Sequence, residues 1–116
     1  MISEQAGIDF VREWERIQLC VHRTAQDHGW WEEERSFGTL LALVHSEISE
    51  ALEAGRRGNP ADDHIPDFTG VEAELADAVI RIMDLAEAAD LDVAGALIAK
   101  ARYNEGRSFR HGRKLI

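Results

Sequence analysis

Apolar residues recur at helical spacing in four stretches of this chain, separated by glycine, proline and capping residues. In the first stretch Ile8, Val11, Trp14, Ile17 or Gln18, and Val21 share one face at about 100° per residue, which predicts a helix from about Gly7 to His28. GWWEEERS breaks that pattern: Gly29 is placed to end the helix, and Ser36 or Thr39 to open the next. Leu40, Leu43, Val44, Ile48, Ala51, Leu52 and Ala54 then form a broad arc on a second helix, from about Gly38 to Arg57. Residues 58–70 carry both prolines and read as a loop. Thr69 and Glu72 make a capping-box signature for a third helix reaching about Ala89, with Val71, Leu75, Ala78, Val79, Ile82 and Ala86 on its apolar arc. Asp92 can cap a fourth, from about Val93 to Ser108 or beyond. No stretch alternates as a strand does. The expected fold is all-α, a four-helix bundle.

On the third helix Ile80 and Met83 widen the apolar arc beyond one face, more than a small four-helix layer covers. A homo-oligomer, dimer or tetramer, is therefore expected. At 116 residues and 13.0 kDa the chain suits one domain over 1–116. No apolar run approaches the roughly 20 residues that span a bilayer, so no membrane partner is expected. The start, MISEQAGIDF, lacks the basic and apolar segments of a secretory signal. The single cysteine, Cys20, excludes an internal disulfide framework and reads as a small core residue. A cytoplasmic protein is the expectation. The formal net charge of −9 argues against stable nucleic-acid binding over the whole surface. The charge is uneven, however: residues 100–116 hold six Lys or Arg against one acid, Glu105.

Four acids interrupt the apolar pattern. Glu47 and Glu50 on the second helix, and Glu74 and Asp77 on the third, are each spaced i, i+3, one turn apart on one helical face. With 22 acidic residues in 116, some such pairs arise by chance, Glu50 with Glu53 and Asp84 with Glu87 among them. The face each acid occupies decides its meaning. Glu47 projects inside the apolar arc, between Leu43 and Leu40, with Glu50 at its edge, while Glu53 points away. Glu74 borders the arc of the third helix and Asp77 lies one step further out. Charged side chains are almost never fully buried unless paired or liganded, so Glu47 needs a partner. Two antiparallel helices that brought the four acids together would suit a hard dication such as Mg²⁺, with Mn²⁺ as a substitute, and point to a phosphate-handling enzyme. The plainer alternative is that Arg81, four residues after Asp77, neutralises that acid while the glutamates reach to solvent.

Candidate ligand groups lie elsewhere. Lys100, Asn104, Arg107 and His111 fall at intervals of 4, 3 and 4, one stripe if the fourth helix persists, and suit a polyphosphate. A solvated helix end whose cations oppose the helix dipole explains Lys and Arg equally well. Lys114, in His111-Gly112-Arg113-Lys114, offers a further cation in a short basic segment. Trp30 and Trp31 follow the first helix; either can stack on a nucleobase, and at least one is expected to be structural. His45 precedes the first acid pair and can bond a substrate or a ligand-bearing side chain.

Together these features resemble the MazG-like nucleoside triphosphate pyrophosphohydrolases, an all-α group that includes dimeric dUTPases and dCTP pyrophosphatases. Its signature, E-E-x-x-E on one helix and E-x-x-D on the next, is similar to Ser46-Glu47-Ile48-Ser49-Glu50 and Glu74-Leu75-Ala76-Asp77. The flanking ALEAGR and ADAVIRIMDLA and the later Lys100, Asn104, Arg107 series extend the likeness over about residues 36–114. Ser46 departs from it, standing where the first acid of the doublet belongs. The resemblance implies Mg²⁺-dependent cleavage of a nucleoside triphosphate between the α and β phosphates, giving a monophosphate and pyrophosphate. It implies Glu47, Glu50, Glu74 and Asp77 as metal ligands, with Glu47 or Glu50 also activating water. Lys100, Asn104 and Arg107 would clamp the phosphates, and subunits would pair their helices. The main rival is a non-catalytic helical adaptor. A di-iron bundle normally uses Glu-x-x-His pairs, and no histidine here follows an acid by three residues.

Overall fold

A computed structural model describes residues 1–108, which form four α-helices: α1 (Glu4–Asp27), α2 (Phe37–Arg56), α3 (Gly70–Ala89) and α4 (Val93–Glu105). No strand occurs among the described residues, and none of their helices is long and apolar enough to cross a membrane. Each helix opens on a side chain that accepts one of the amides its first turn leaves unpaired. Ser3 takes Ala6 N, Ser36 takes Thr39 N, and Asp92 takes Gly95 N. Thr69 and Glu72 complete the reciprocal box expected from the sequence.

Glycines end the first two helices. Gly29 and Gly58 have φ of 85° and 88°, a left-handed conformation that side-chain-bearing residues resist. The following amides reach back, Trp30 N to Ala25 O at 3.0 Å and Asn59 N to Ala54 O at 2.8 Å, closing Schellman motifs. The 58–70 segment is a hydrogen-bonded loop. Asp62 caps the His64 and Ile65 amides, an isolated bridge joins Ala61 to Thr69, and Asn59 Oδ1 accepts Val71 N. The loop therefore feeds α3 back along α2 in a fixed register.

Packing runs in the order α2–α3–α1–α4. Ala54 meets Gly70 at one end of the α2–α3 pair and Glu47 meets Arg81 further along, so these helices are antiparallel. Gln18 with Glu87 and His22 with Asp84 show the same for α1 and α3. On the far side of α1, Arg102 donates to Ser3 O at 2.9 Å and Ile98 packs against Gly7, setting α4 antiparallel as well. Small residues make the contacts close: Ala51, Ala54, Ala73, Ala78, Ala86 and Ala94 are buried, with Met83, Leu85 and Ile98 the larger members of the core.

Three expectations change. Leu75 and Val79, placed on the apolar arc of α3, are exposed, as are Leu41, Ile48 and Leu52 on α2, because the alanine face rather than the large-residue face closes the α2–α3 contact. Cys20 is exposed, since α1 turns Gln18 and His22 towards α3 instead. Helix α4 stops at Glu105 with Gly106 as its cap, so Arg107 lies past its end and the stripe from Lys100 is not one continuous helical face. Glycine in a helix interior costs about 1 kcal/mol relative to alanine, which favours a stop there. His111 and Lys114 lie outside the described residues.

Candidate active site

Helices α2 and α3 bring three of the four expected acids together. One carboxylate oxygen from each of Glu47, Glu74 and Asp77 lies within 4.8 Å of the others. The antiparallel alanine contact sets this register, placing Glu47 opposite the turn that holds Glu74 and Asp77. Glu50 falls outside the close group, yet its charge still bears on Glu74.

The electrostatics are those of crowded acids. Glu74 is pushed up to about 7 by partial desolvation, by a hydrogen bond its protonated form makes to Glu47, and by the charges of Asp77, Glu47 and Glu50. Asp77 also rises, from desolvation first and then from Glu47, while Arg81 pulls it down. Arg81 itself does not pair with Asp77. Its Nε donates to Glu47 Oε1 at 2.8 Å, across the helix interface, and the Glu47 side chain keeps only 13% of its exposure. That ion pair is the partner Glu47 needed.

Glu47, Glu74 and Asp77 are the residues that could hold a small hard cation. An octahedral Mg²⁺ with oxygens at about 2.1 Å sets its ligand atoms about 3 to 4.2 Å apart, so modest side-chain shifts would close the group around one ion. All donors are carboxylate oxygens, the set that suits Mg²⁺ or Mn²⁺.

Two of these acids, Glu47 and Asp77, line a cleft of about 330 Å³. Glu47, Asp77, Ile80, Arg81 and Asp84 form one wall, and Val21, Thr24, Ala25 and His28 from the end of α1, with Trp30 and Arg35 from the following loop, form the other. Its size lies within the range of small-molecule sites, with apolar walls and a few convergent polar groups. The two tryptophans divide their roles. Trp31 Nε1 donates to Asp84 at 3.0 Å and the ring meets His22 edge-on, so it is a structural anchor. Trp30 is exposed at the cleft. Asp84 also accepts from His22 Nδ1 at 2.7 Å, and this double bond to α1 and the loop fixes the far wall.

The cationic series is placed apart. Lys100 and Asn104 are exposed on α4, which packs on α1, and neither they nor Arg107 line the cleft. Lys100 and Arg107 instead flank the Tyr103 ring at 5.2 and 5.6 Å. His45 is exposed on α2 and lies outside the cleft lining too.

The cleft also holds two arginines, Arg35 and Arg81. Arg35 donates Nη2 to Trp30 O at 2.8 Å and lies near both indole rings, while its Nε is buried without an acceptor among the described residues. It sits in a loop, where no periodicity announces a face. Arg81 was legible as a cation near the acids, but its position four residues after Asp77 suggested the wrong partner. Asp84 lies seven residues after Asp77, two helical turns along the same face, a signal that could have found it.

No protein-family model matches the chain, nor does any curated protein or solved structure.

Proposed function

We propose that this cleft hydrolyses a nucleoside triphosphate between its α and β phosphates, with a divalent cation on Glu47, Glu74 and Asp77. The convergence of those three oxygens, with Glu47 and Asp77 lining a cleft walled by an exposed tryptophan, carries the reading. Desolvation and the neighbouring acids both raise Glu74, as expected where carboxylates crowd with one arginine between them. Magnesium bound there would polarise phosphate oxygens and acidify a bound water. Trp30 offers a stacking face to the base, at the other wall of the same cleft. Glu50, exposed and one turn from Glu47, is the carboxylate left to orient the attacking water and take its proton. The water oxygen forms the new bond to phosphorus as the bridging oxygen departs with the other product, leaving a monophosphate and pyrophosphate. The likeness to MazG-like enzymes in the acid motifs supports this assignment of steps. Lys100, Asn104 and Arg107 would reach such a site only from a second subunit, since one chain leaves them off the cleft.

The test is pyrophosphate release from a panel of canonical and oxidised nucleoside triphosphates with Mg²⁺ or Mn²⁺. At least one substrate should turn over, and Glu50→Gln should slow it by about 100-fold or more, as loss of a general base does. A second reading, a helical adaptor, draws on the exposed Leu41, Ile48 and Leu52 of α2. No turnover of any nucleotide together with no effect of metal on melting would favour the adaptor.

A further inference from the structure

Arginine presents five N–H donors in a rigid fork, and the two arginines of the cleft differ in what holds them. Arg35 gives Nη2 to Trp30 O and keeps Nε buried without an acceptor among the described residues, and its guanidinium lies 5.7 and 5.4 Å from the Trp30 and Trp31 ring centres, held against the loop. Arg81 spends one donor, Nε, on Glu47. Its Nη1 and Nη2 have no acceptor among the described residues, and its side chain keeps 32% exposure at the cleft wall. Nearby, Asp84 accepts from His22 and Trp31 and makes no ion pair with Arg81.

We propose that Arg81 receives the substrate's phosphate chain in this cleft, Nε holding Glu47 while Nη1 and Nη2 donate to phosphate oxygens. The inference rests on the proposed function and supplies what that site lacks within one chain, a cation beside the acids. The geometry suits arginine specifically. A guanidinium can bond a carboxylate along one edge and a phosphate along another, whereas an ammonium acts as a point charge. The neighbouring turn supplies the reason for the placement. Arg81 follows Asp77 by four residues on α3, so one helical face delivers both an acid and the cation for the anion that the acid's metal would attract.

The experiment measures two bindings separately by calorimetry on the wild-type protein, Arg81→Gln and Arg81→Lys. One titrant is Mn²⁺ alone. The other is the set of α,β-methylene triphosphates of the four common bases, in saturating Mn²⁺. The expected result is at least tenfold weaker analogue binding in Arg81→Gln, with Mn²⁺ affinity equal to wild type or tighter because Glu47 is released. Arg81→Lys, which keeps the charge but loses the fork, should fall between. An analogue loss under threefold in Arg81→Gln overturns the proposal. So does a parallel loss of Mn²⁺ and analogue binding, which would make Arg81 a prop for Glu47 alone. If Arg81→Gln does not fold by circular dichroism, Arg81→Lys decides on the same threefold threshold. Wild-type protein that binds neither Mn²⁺ nor any analogue overturns the proposed function and this inference with it; wild-type binding with an unaffected variant overturns only the role of Arg81.

Discussion

At Glu74 the physics of the site is written in a single proton. Its carboxyl is raised to about 7 by desolvation and by the neighbouring acids, so the folded chain holds that proton more tightly than the unfolded chain does. The fold is therefore favoured while Glu74 is protonated, and this contribution is lost as pH rises from the unfolded value of 4.5 through about 7. Asp77 acts in the same direction. Metal-free protein should accordingly melt at a lower temperature at pH 8 than at pH 5.5, and Glu74→Gln should flatten that slope in a melting series. A cation competes with the proton for the same oxygens, so the melting increment from Mg²⁺ should grow over the same interval. An increment independent of pH would count against ligation by Glu74. Much of this was readable from sequence, because Glu47 falls inside an apolar arc where a free acid does not belong. Its partner was not readable. Sequence spacing offers Arg81 to Asp77, and only the register between α2 and α3 gives it to Glu47.

The elements themselves follow from local chemistry. Ser36, Thr69 and Asp92 cap their helices from within three residues, and Gly29 and Gly58 stop theirs through backbone conformations that glycine adopts freely, so boundaries survive translation from pattern to structure. Thr69→Ala should lower stability by about 1 kcal/mol through loss of the capping box, read as a shift in the urea midpoint at unchanged slope. An unchanged midpoint would mean that the 58–70 loop holds the start of α3 without that cap. The extent of α4 was less legible, since its apolar periodicity is weak and a basic series continues past Gly106. Which face of each helix would close the core was also hidden. Leucine and valine arcs are conspicuous in sequence, yet the α2–α3 contact closes on Ala51, Ala54, Ala73 and Ala78, where small side chains let the helix backbones approach.

Across the molecule, that choice leaves apolar surface uncovered. Among the described residues no large side chain is fully buried, and Ile48, Leu52, Leu75 and Val79 remain open on α2 and α3. Self-association covers such faces at the least cost, and a permanent homodimer commonly buries about 2000 Å² or more in total. Sedimentation should give at least twice the 13.0 kDa chain mass, and Ile48→Glu with Leu52→Glu should shift the protein towards monomer; a 13.0 kDa species at every concentration would remove self-association. Lys100, Asn104 and Arg107 do not line the cleft of their own chain. The most direct test lies at the acids, through the electron paramagnetic resonance of Mn²⁺ titrated into the protein at pH 8. Saturable loss of the free-ion signal, abolished by Asp77→Asn in a variant that still folds, is the predicted result. A signal that rises in proportion to added Mn²⁺, identical in both proteins, would contradict it.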